Sequence, residues 1–287
     1  MSTSLIAFYK LLDKQIYIYF GSITFICGVI GGILNIIVFL SLATFRKNSC
    51  SFYLIVMSFV NIGYLSVNLL PILLIHISNI DASATSLFYC KFQKYFVTIC
   101  INISMTCFCL STMDQYCATS SHRRFQQWCN MKLAKRLVII FSIFWILHPT
   151  PYLFLFYHST SSTTGQTTCT MSSLIYIQYR SYFIVLILFG ILPLSISMFF
   201  GIMSFINIQQ MSHYTLPLVR RELDKQLTKM VLTEVVVNCF AQIPFIIICT
   251  IRLNSNFDYD PFIQVQIQLA YDICINIFYW YTAVSCN

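Results

Sequence analysis

The sequence predicts an all-α fold, a bundle of seven transmembrane helices whose N-terminus lies outside the cell. Three observations predict it. Of the 287 residues, 58% are hydrophobic and 9% are charged, whereas about a quarter of the residues of a soluble domain are charged. Long tracts contain no charged residue, for example between Lys14 and Arg46 and between Lys47 and Asp81. The basic residues form short clusters between such tracts, which is typical of a membrane protein and not of a nucleic-acid-binding surface.

Each membrane crossing needs a helix of about 20 mostly apolar residues, because lipid offers no partners for free backbone N–H and C=O groups. The apolar tracts have this length and lack the alternating polarity of barrel strands. The sixth tract is interrupted only by Glu234 and the seventh only by Asp272. The sequence therefore predicts a single domain, residues 1–287, with spans at about 17–43, 52–76, 92–116, 135–157, 181–207, 229–251 and 262–285.

Lysine and arginine residues predict the orientation, because basic loops resist translocation. With the N-terminus outside, the inner segments hold 11 of the 17 basic residues, namely Arg46, Lys47, Arg123, Arg124, Lys132, Lys135, Arg136, Arg220, Arg221, Lys225 and Lys229. The outer segments hold the other six, namely Lys10, Lys14, Lys91, Lys94, Arg180 and Arg252. We therefore expect an outer N-terminus, with the net charge of +8 concentrated at the inner membrane surface.

The 13 cysteines differ in the compartment they face. Most lie inside the predicted spans, where a thiol is a small apolar filler. Cys50, Cys117 and Cys129 lie on the reducing inner side. Cys90, just before the third span, and Cys169, in the second outer loop, are the pair on the oxidising side. We expect a disulfide bond between them.

Polar residues inside a span are costly in lipid, so they are candidates for interhelical hydrogen bonds or for function. Asn35 and Asn61 lie at similar depth in the inner halves of neighbouring spans, and Ser104 of the third span can join them in one network. Glu234 and Asp272 leave open a transporter or channel, although the sequence shows no inverted repeats. No histidines cluster at matching depth, so we expect no metal, no cofactor and no hydrolase activity.

Several landmarks lie along nearly the whole chain: Asn35 with Val38, the Cys90 and Cys169 pair, Asp114-Gln115-Tyr116 at the end of the third span, Trp145, Pro193, Pro244 and Tyr281. In this order they resemble the rhodopsin-like (class A) G-protein-coupled receptors, whose third helix ends in Asp-Arg-Tyr. The resemblance implies a receptor in the plasma membrane that binds an extracellular ligand and engages a heterotrimeric G protein.

Residues that the resemblance assigns to activation and coupling are Asp114, Gln115, Tyr116, Asp224, Pro244 and Tyr281. Gln115 replaces the family's arginine, so a bond to Asp224 at the foot of the sixth span survives only as a neutral hydrogen bond. Gln242 stands two residues before Pro244, where the family usually has tryptophan. Asn61 replaces the usual aspartate, and we therefore expect the family's sodium site to be weak or absent.

The resemblance also excludes some classes of ligand. An opsin needs a lysine in the seventh helix, and the last lysine here is Lys229 in the sixth. An amine receptor needs an aspartate where Val97 stands.

The candidate ligand-binding residues are Gln93, Lys94, Val97, Arg180, Gln242 and Arg252. Together with Asp258, Asp260 and many aromatic residues they suit a peptide or a small anionic ligand, as in peptide and chemosensory receptors, although such residues also anchor spans at the lipid interface.

Overall fold

The computed structural model describes residues 2–46, 48–78, 81–160, 167–210, 218–253 and 261–284. The described residues form seven long helices. Helix α1 runs over Ser2–Ile16 and Ser22–Ser41, with a π-helical turn at Tyr17–Gly21 between them. Helix α2 runs over Ser49–Tyr64 and Leu70–Ser78, with a π-helical turn at Leu65–Leu69 between them. Helix α3 is Leu87–Thr119, and α4 is Met131–Leu147. Helix α5 comprises Leu174–Gln178, the π-helical Tyr179–Ile191 and Leu192–Gln210; α6 is Leu218–Leu253; and α7 is Pro261–Val284.

Six of these helices, α1 to α6, are long and apolar enough to cross a membrane by length and composition. Helix α7 falls short because of its polar side chains, which include Gln264, Gln266, Gln268, Asp272 and Asn276. It nevertheless packs between α1 and α6, and Asp272 and Asn276 are buried there. The seventh helix is therefore recognised by its place in the bundle and not by its hydropathy.

Apolar side chains cover the outside of the bundle. On α1, Ile26 is 56% exposed and Ile37 is 54% exposed, and on α4 Ile140 is 60% exposed. Residues of this kind contact lipid in a membrane protein, since an exposed apolar patch of such extent is unfavourable in water. The interior contains two large apolar clusters, an outer one around Leu69 and Phe278 and an inner one around Phe108.

Helices α1 and α7 approach each other closely at Gly28. A Cβ atom added to Gly28 would lie 2.9 Å from the Cβ atom of Ala283, which is too short for two carbon atoms. Small residues at such contacts let helix backbones come together in a membrane, where packing replaces the hydrophobic effect as the driving force. Gly28 therefore fixes the distance between α1 and α7.

The first and fourth helices differ from the predicted spans. Helix α1 begins at Ser2 and not near residue 17, and its outer part packs through Tyr9 against Phe262 of α7. Helix α4 ends at Leu147 and not near residue 157. Proline lacks a backbone N–H, so Pro149 and Pro151 cannot continue the hydrogen bonds of the helix, and it ends although apolar residues follow.

A β-hairpin occupies the second outer loop, where the sequence predicted no regular structure. After a helical turn at Tyr152–Leu155, strand β1 (Phe156–Thr160) pairs antiparallel with β2 (Thr167–Met171). The register places His158 opposite Cys169. We call the side of the bundle that carries this hairpin the outer side, and the opposite side the inner side.

Candidate functional site

A disulfide bond joins Cys90, in the first turn of α3, to Cys169 on β2, with their Cα atoms 5.9 Å apart. Cys90 is buried in a small apolar cluster with Tyr152 and Phe156. On β1, Nε2 of His158 lies 2.8 Å from the backbone oxygen of Ser83, just before α3. Covalent and polar contacts therefore hold the hairpin over the outer end of α3.

Three cations predicted to bind ligand lie at the outer ends of their helices. The guanidinium of Arg252 on α6 is 4.1 Å from the ring centre of Tyr271 on α7, which is a cation–π contact. Lys94 on α3 and Arg180 on α5 are close enough for their charges to repel each other, and Arg180 interacts with the hydroxyl group of Tyr152. Both arginines also interact electrostatically with the side chain of Tyr271. The structure therefore brings these cations to one region lined by tyrosines.

The carboxyl group of Asp272 connects α7 to α1 on the same side of the bundle. The hydroxyl group of Tyr17 donates a hydrogen bond of 3.0 Å to Oδ1, and Nε2 of Gln268 donates one of 2.7 Å to Oδ2. The ring of His76 on α2 stacks on Tyr17 with a distance of 4.7 Å between the ring centres. Both oxygens of Asp272 therefore accept hydrogen bonds from protein donors.

Two other residues predicted to bind ligand are packed into the bundle. Gln93 is buried, and its Nε2 donates a hydrogen bond of 3.2 Å to the backbone oxygen of Val67 on α2. Val97, one turn further along α3, is half-buried and packs against the outer apolar cluster. The structure thus places Gln93 in a contact between α2 and α3.

Gln242 joins α6 to α5 and α3 in the middle of the bundle. It is fully buried, and its Nε2 donates a hydrogen bond of 2.9 Å to the backbone oxygen of Phe189 and lies 3.7 Å from Sδ of Met105. Pro193, four residues after Phe189, has no N–H with which to bond that oxygen within α5. The residue that replaces the family's tryptophan therefore binds a carbonyl group that a proline has left free. Pro244 lies inside α6, two residues further on.

The network predicted for Asn35, Asn61 and Ser104 forms as two separate contacts. The hydroxyl group of Ser104 on α3 donates a hydrogen bond of 2.6 Å to Oδ1 of Asn61, and Nδ2 of Asn61 donates to the backbone oxygen of Thr282 on α7 at 3.4 Å. Asn35 instead donates a hydrogen bond of 2.9 Å to Ser58, on the part of α2 that faces α1. Asn61 therefore links α2, α3 and α7, while Asn35 links only α1 and α2 within the described residues.

Tyr281 lies at the inner end of α7. It is 2% exposed, and its ring packs on Phe108 of α3 and Phe278 of α7, with ring-centre distances of 6.3 and 5.7 Å. This places the one retained residue of the family's seventh-helix motif in contact with α3.

Asp114, Gln115 and Tyr116 make three different contacts at the inner end of α3. Both carboxyl oxygens of Asp114 lie 2.8 Å from the hydroxyl group of Ser49, at the start of α2. The hydroxyl group of Thr228 on α6 donates a hydrogen bond of 2.8 Å to Oε1 of Gln115. The ring of Tyr116 packs on rings from the adjoining loop and from α5. Gln115 thus joins α3 to α6 through a neutral bond to Thr228, a partner that the sequence did not indicate.

The partner predicted for Gln115 was Asp224, with Glu222 beside it. The side chains of both residues lie outside the described part of the structure, as do Asp258 and Asp260 of the outer mouth.

A further thiol supports this end of α3. Sγ of Cys129 donates a hydrogen bond of 3.2 Å to the backbone oxygen of Asp114. A hydrogen bond with Cys117 and burial raise the pKa of the Cys129 thiol, so the group stays protonated and can donate at neutral pH.

Glu234 and Asp272, the two carboxyl groups of the alternative ion path, lie in different surroundings. Glu234 is 8% exposed, and its Oε2 has no hydrogen-bond partner within the part of the chain that the structure describes. Asp272, by contrast, accepts hydrogen bonds from Tyr17 and Gln268. Among the described residues, the two carboxyl groups that a transporter or channel was predicted to use therefore share no hydrogen-bond partner.

The fold and these contacts define the class of protein. Helices cross the membrane, a tethered hairpin lies over the outer end of α3, and hydrogen bonds between α3, α5 and α6 lie beneath it, which is the construction of a multi-pass membrane receptor. Residues 32–287 match the family described as "7 transmembrane receptor (rhodopsin family)". The chain belongs to this family, which confirms the predicted class, and it is a receptor and not an enzyme. A comparison with curated proteins found no match.

Proposed function

We propose that this receptor binds an extracellular ligand that carries an anionic group, and that it signals from the plasma membrane through a heterotrimeric G protein. The observation that supports the ligand class is the placement of Lys94 near Arg180, and of both Arg180 and Arg252 near Tyr271, at the outer side. Like charges held near each other in a medium of low dielectric constant destabilise one another, and a bound anion relieves that repulsion.

The surroundings of the cations favour a carboxylate attached to an apolar or aromatic body. Tyr152, Tyr176 and Tyr179 form a chain of ring contacts beside Arg180, with ring-centre distances of 5.9 and 5.5 Å. Rings of this kind supply contact area, while a guanidinium group binds a carboxylate through two parallel hydrogen bonds. The C-terminus of a peptide and a small organic acid share this chemistry.

Signalling requires that ligand binding favours a second arrangement of the helices. The contacts that change most readily are the neutral bonds of α6, from Thr228 to Gln115 and from Gln242 to the backbone oxygen of Phe189. A neutral hydrogen bond contributes roughly 0.5–1.5 kcal/mol, so a ligand with modest preference for the open arrangement can separate α6 from α3. The basic inner segments then face the G protein.

The test is a screen in cells that express the receptor at the surface, with second-messenger production as the readout. The probes are short peptides with a free C-terminal carboxylate, the same peptides as C-terminal amides, and small aromatic acids. We expect responses to the carboxylates and a loss of at least ten-fold in potency for the amides.

Matched variants connect the response to the cations. Arg252→Gln and Arg180→Gln should each lower potency, whereas Lys10→Gln, which removes an outer charge on an exposed face of α1, should not. Equal responses to acids and amides, or equal potency in all three variants, would contradict the proposed ligand class. A carboxylate response that persists when G-protein activation is blocked would contradict the proposed coupling.

A further inference from the structure

A cavity of about 250 Å³ lies between α3, α4 and α5, near the middle of α3. Side chains at its edge reach the lipid-facing surface, since Met113 is 37% and Leu192 is 46% exposed. The cavity is distinct from the outer region that holds the cations, because it is lined by α3 residues from Asn102 to Met113. A molecule dissolved in the bilayer can enter it sideways.

Two polar side chains, those of Asn102 and Thr106, line this cavity. Its side chain is 2% exposed, and Nδ2 donates a hydrogen bond of 2.8 Å to the backbone oxygen of Thr98. No described residue donates to its Oδ1. The neighbouring hydroxyl group of Thr106 is already used, because it accepts from Nε1 of Trp145 and donates to the backbone oxygen of Asn102, each at 2.8 Å. An acceptor left without a donor in hydrocarbon is costly, so a ligand with one donor gains from binding here.

The remaining lining suits an aromatic ring. Met105 and Met113 line the cavity, and Phe141 and Trp145 add aromatic side chains. Sulfur and aromatic groups both interact favourably with the edge or face of a ring. A cavity of about 150 Å³ holds benzene, so this one accommodates a ring with small substituents.

We propose that this intramembrane cavity binds an alkyl-substituted phenol. The hydroxyl group donates to Oδ1 of Asn102, the ring packs among the two methionines and the aromatic side chains, and the alkyl groups extend towards lipid. Met105 lines the cavity and also lies against Gln242, so the occupied cavity is connected to the contact between α5 and α6.

The experiment uses the full chain in lipid nanodiscs and a photoreactive alkylphenol, with its methyl ether as the partner probe that lacks a donor. Adducts are located by mass spectrometry of the peptides that cover α3, α4 and α5. We expect the phenol to label the residues around the cavity about five-fold more efficiently than the ether, the ratio that one neutral hydrogen bond supplies.

Three variants examine whether Asn102 and the cavity volume determine the labelling. Asn102→Leu should reduce phenol labelling to the level of the ether and leave ether labelling unchanged. Leu188→Trp, which fills the cavity, should abolish labelling by both probes. Asn207→Leu is the matched control, because Asn207 lies on α5 outside the cavity and its Nδ2 already lacks a partner within the described structure; it should change neither.

Equal labelling of the wild-type protein by phenol and ether would overturn the proposal, and so would adducts confined to other surfaces. The comparison of the two probes on the wild-type protein stands even if Asn102→Leu does not fold. Because no signalling is measured, the outcome is independent of the proposed anionic ligand.

Discussion

Two polar contacts of the bundle, one between α1 and α7 and one between α3 and α6, differ in strength. The outer contact is built on a carboxyl group: Tyr17 of α1 donates to one oxygen of Asp272, and Gln268 of the same helix as Asp272 donates to the other. The inner contact is a single bond between two neutral side chains, Thr228 and Gln115. Hydrogen bonds to a charged group contribute roughly 1.5–3 kcal/mol and neutral ones roughly 0.5–1.5 kcal/mol.

This difference indicates which helices stay together and which separate. The close approach at Gly28 reinforces the contact between α1 and α7 by packing, whereas α6 is held to α3 and α5 by neutral bonds. We therefore expect α1 and α7 to form the fixed side of the receptor and α6 to be its moving part.

Loss of the outer disulfide should have the largest effect. Removing a native disulfide typically costs about 2–5 kcal/mol, and here it also releases the hairpin from α3. We expect Cys169→Ser to lower the amount of receptor at the cell surface severalfold, measured by antibody staining of intact cells. Cys27→Ser, an exposed thiol on α1, is the control and should be neutral. Normal surface levels of Cys169→Ser would show that packing alone holds the hairpin.

Gln115→Arg should strengthen the weaker of the two contacts. An arginine at this position can form a charge-assisted pair with Asp114 of α3 or with Asp224 of α6, worth roughly 1.5–3 kcal/mol. We therefore expect basal second-messenger production to fall by about ten-fold. If the arginine also contacts the G protein, the maximal response should rise. Gln115→Met is the uncharged control. A variant that reaches the surface but changes neither quantity would show that residue 115 does not control coupling.

Tyr17→Phe should weaken the stronger contact by leaving one oxygen of Asp272 without its donor. An unsatisfied buried acceptor costs about 1–3 kcal/mol, so the apparent melting temperature of the purified receptor should fall by several degrees. Tyr19→Phe is the matched control, because Tyr19 is 68% exposed. Basal signalling should not change. A rise in basal signalling would mean that α1 and α7 move during activation, contrary to their assignment as the fixed side of the receptor.

Thr228→Val should have the smallest effect. It removes the donor to Gln115 at nearly constant volume, at a cost of about 1 kcal/mol, so basal signalling should rise about five-fold with little change in the melting temperature. The double variant Thr228→Val, Gln115→Leu tests whether the two side chains form one contact. If they do, its effect on basal signalling should be smaller than the sum of the two single effects. Fully additive effects would show that the two side chains act independently.

The sequence predicted the bundle well because hydropathy records which residues face lipid. At α4 the candidate span of the structure, Met131–Leu155, lies close to the predicted 135–157. The regular helix nevertheless ends at Leu147, before two prolines whose effect hydropathy does not record. Helix α7 is the opposite case. Its hydropathy alone is too low, yet Asp272 and Asn276 are buried against neighbouring helices, a fact that no local pattern contains.

The polar contacts were predicted less completely, because they join residues far apart in the chain. The candidates Asn61 and Ser104 do meet. Asn35 instead bonds Ser58, since the face of α2 that it meets carries that residue one turn before Asn61. Thr228 lies 113 residues from Gln115, and Tyr17 lies 255 residues from Asp272. Nothing in the composition around Thr228 or Tyr17 identifies such partners, and only the packing of the helices brings them together.

The length of α1 has a consequence for access to the receptor. Its three segments contain 15, 5 and 20 residues, and at roughly 1.5 Å per residue they extend about 60 Å. A bilayer with its headgroups is about 40–45 Å thick. Helix α1 is therefore longer than a bilayer is thick, and its first turns, where Tyr9 packs on Phe262 of α7, extend the wall of the outer region along α1 and α7.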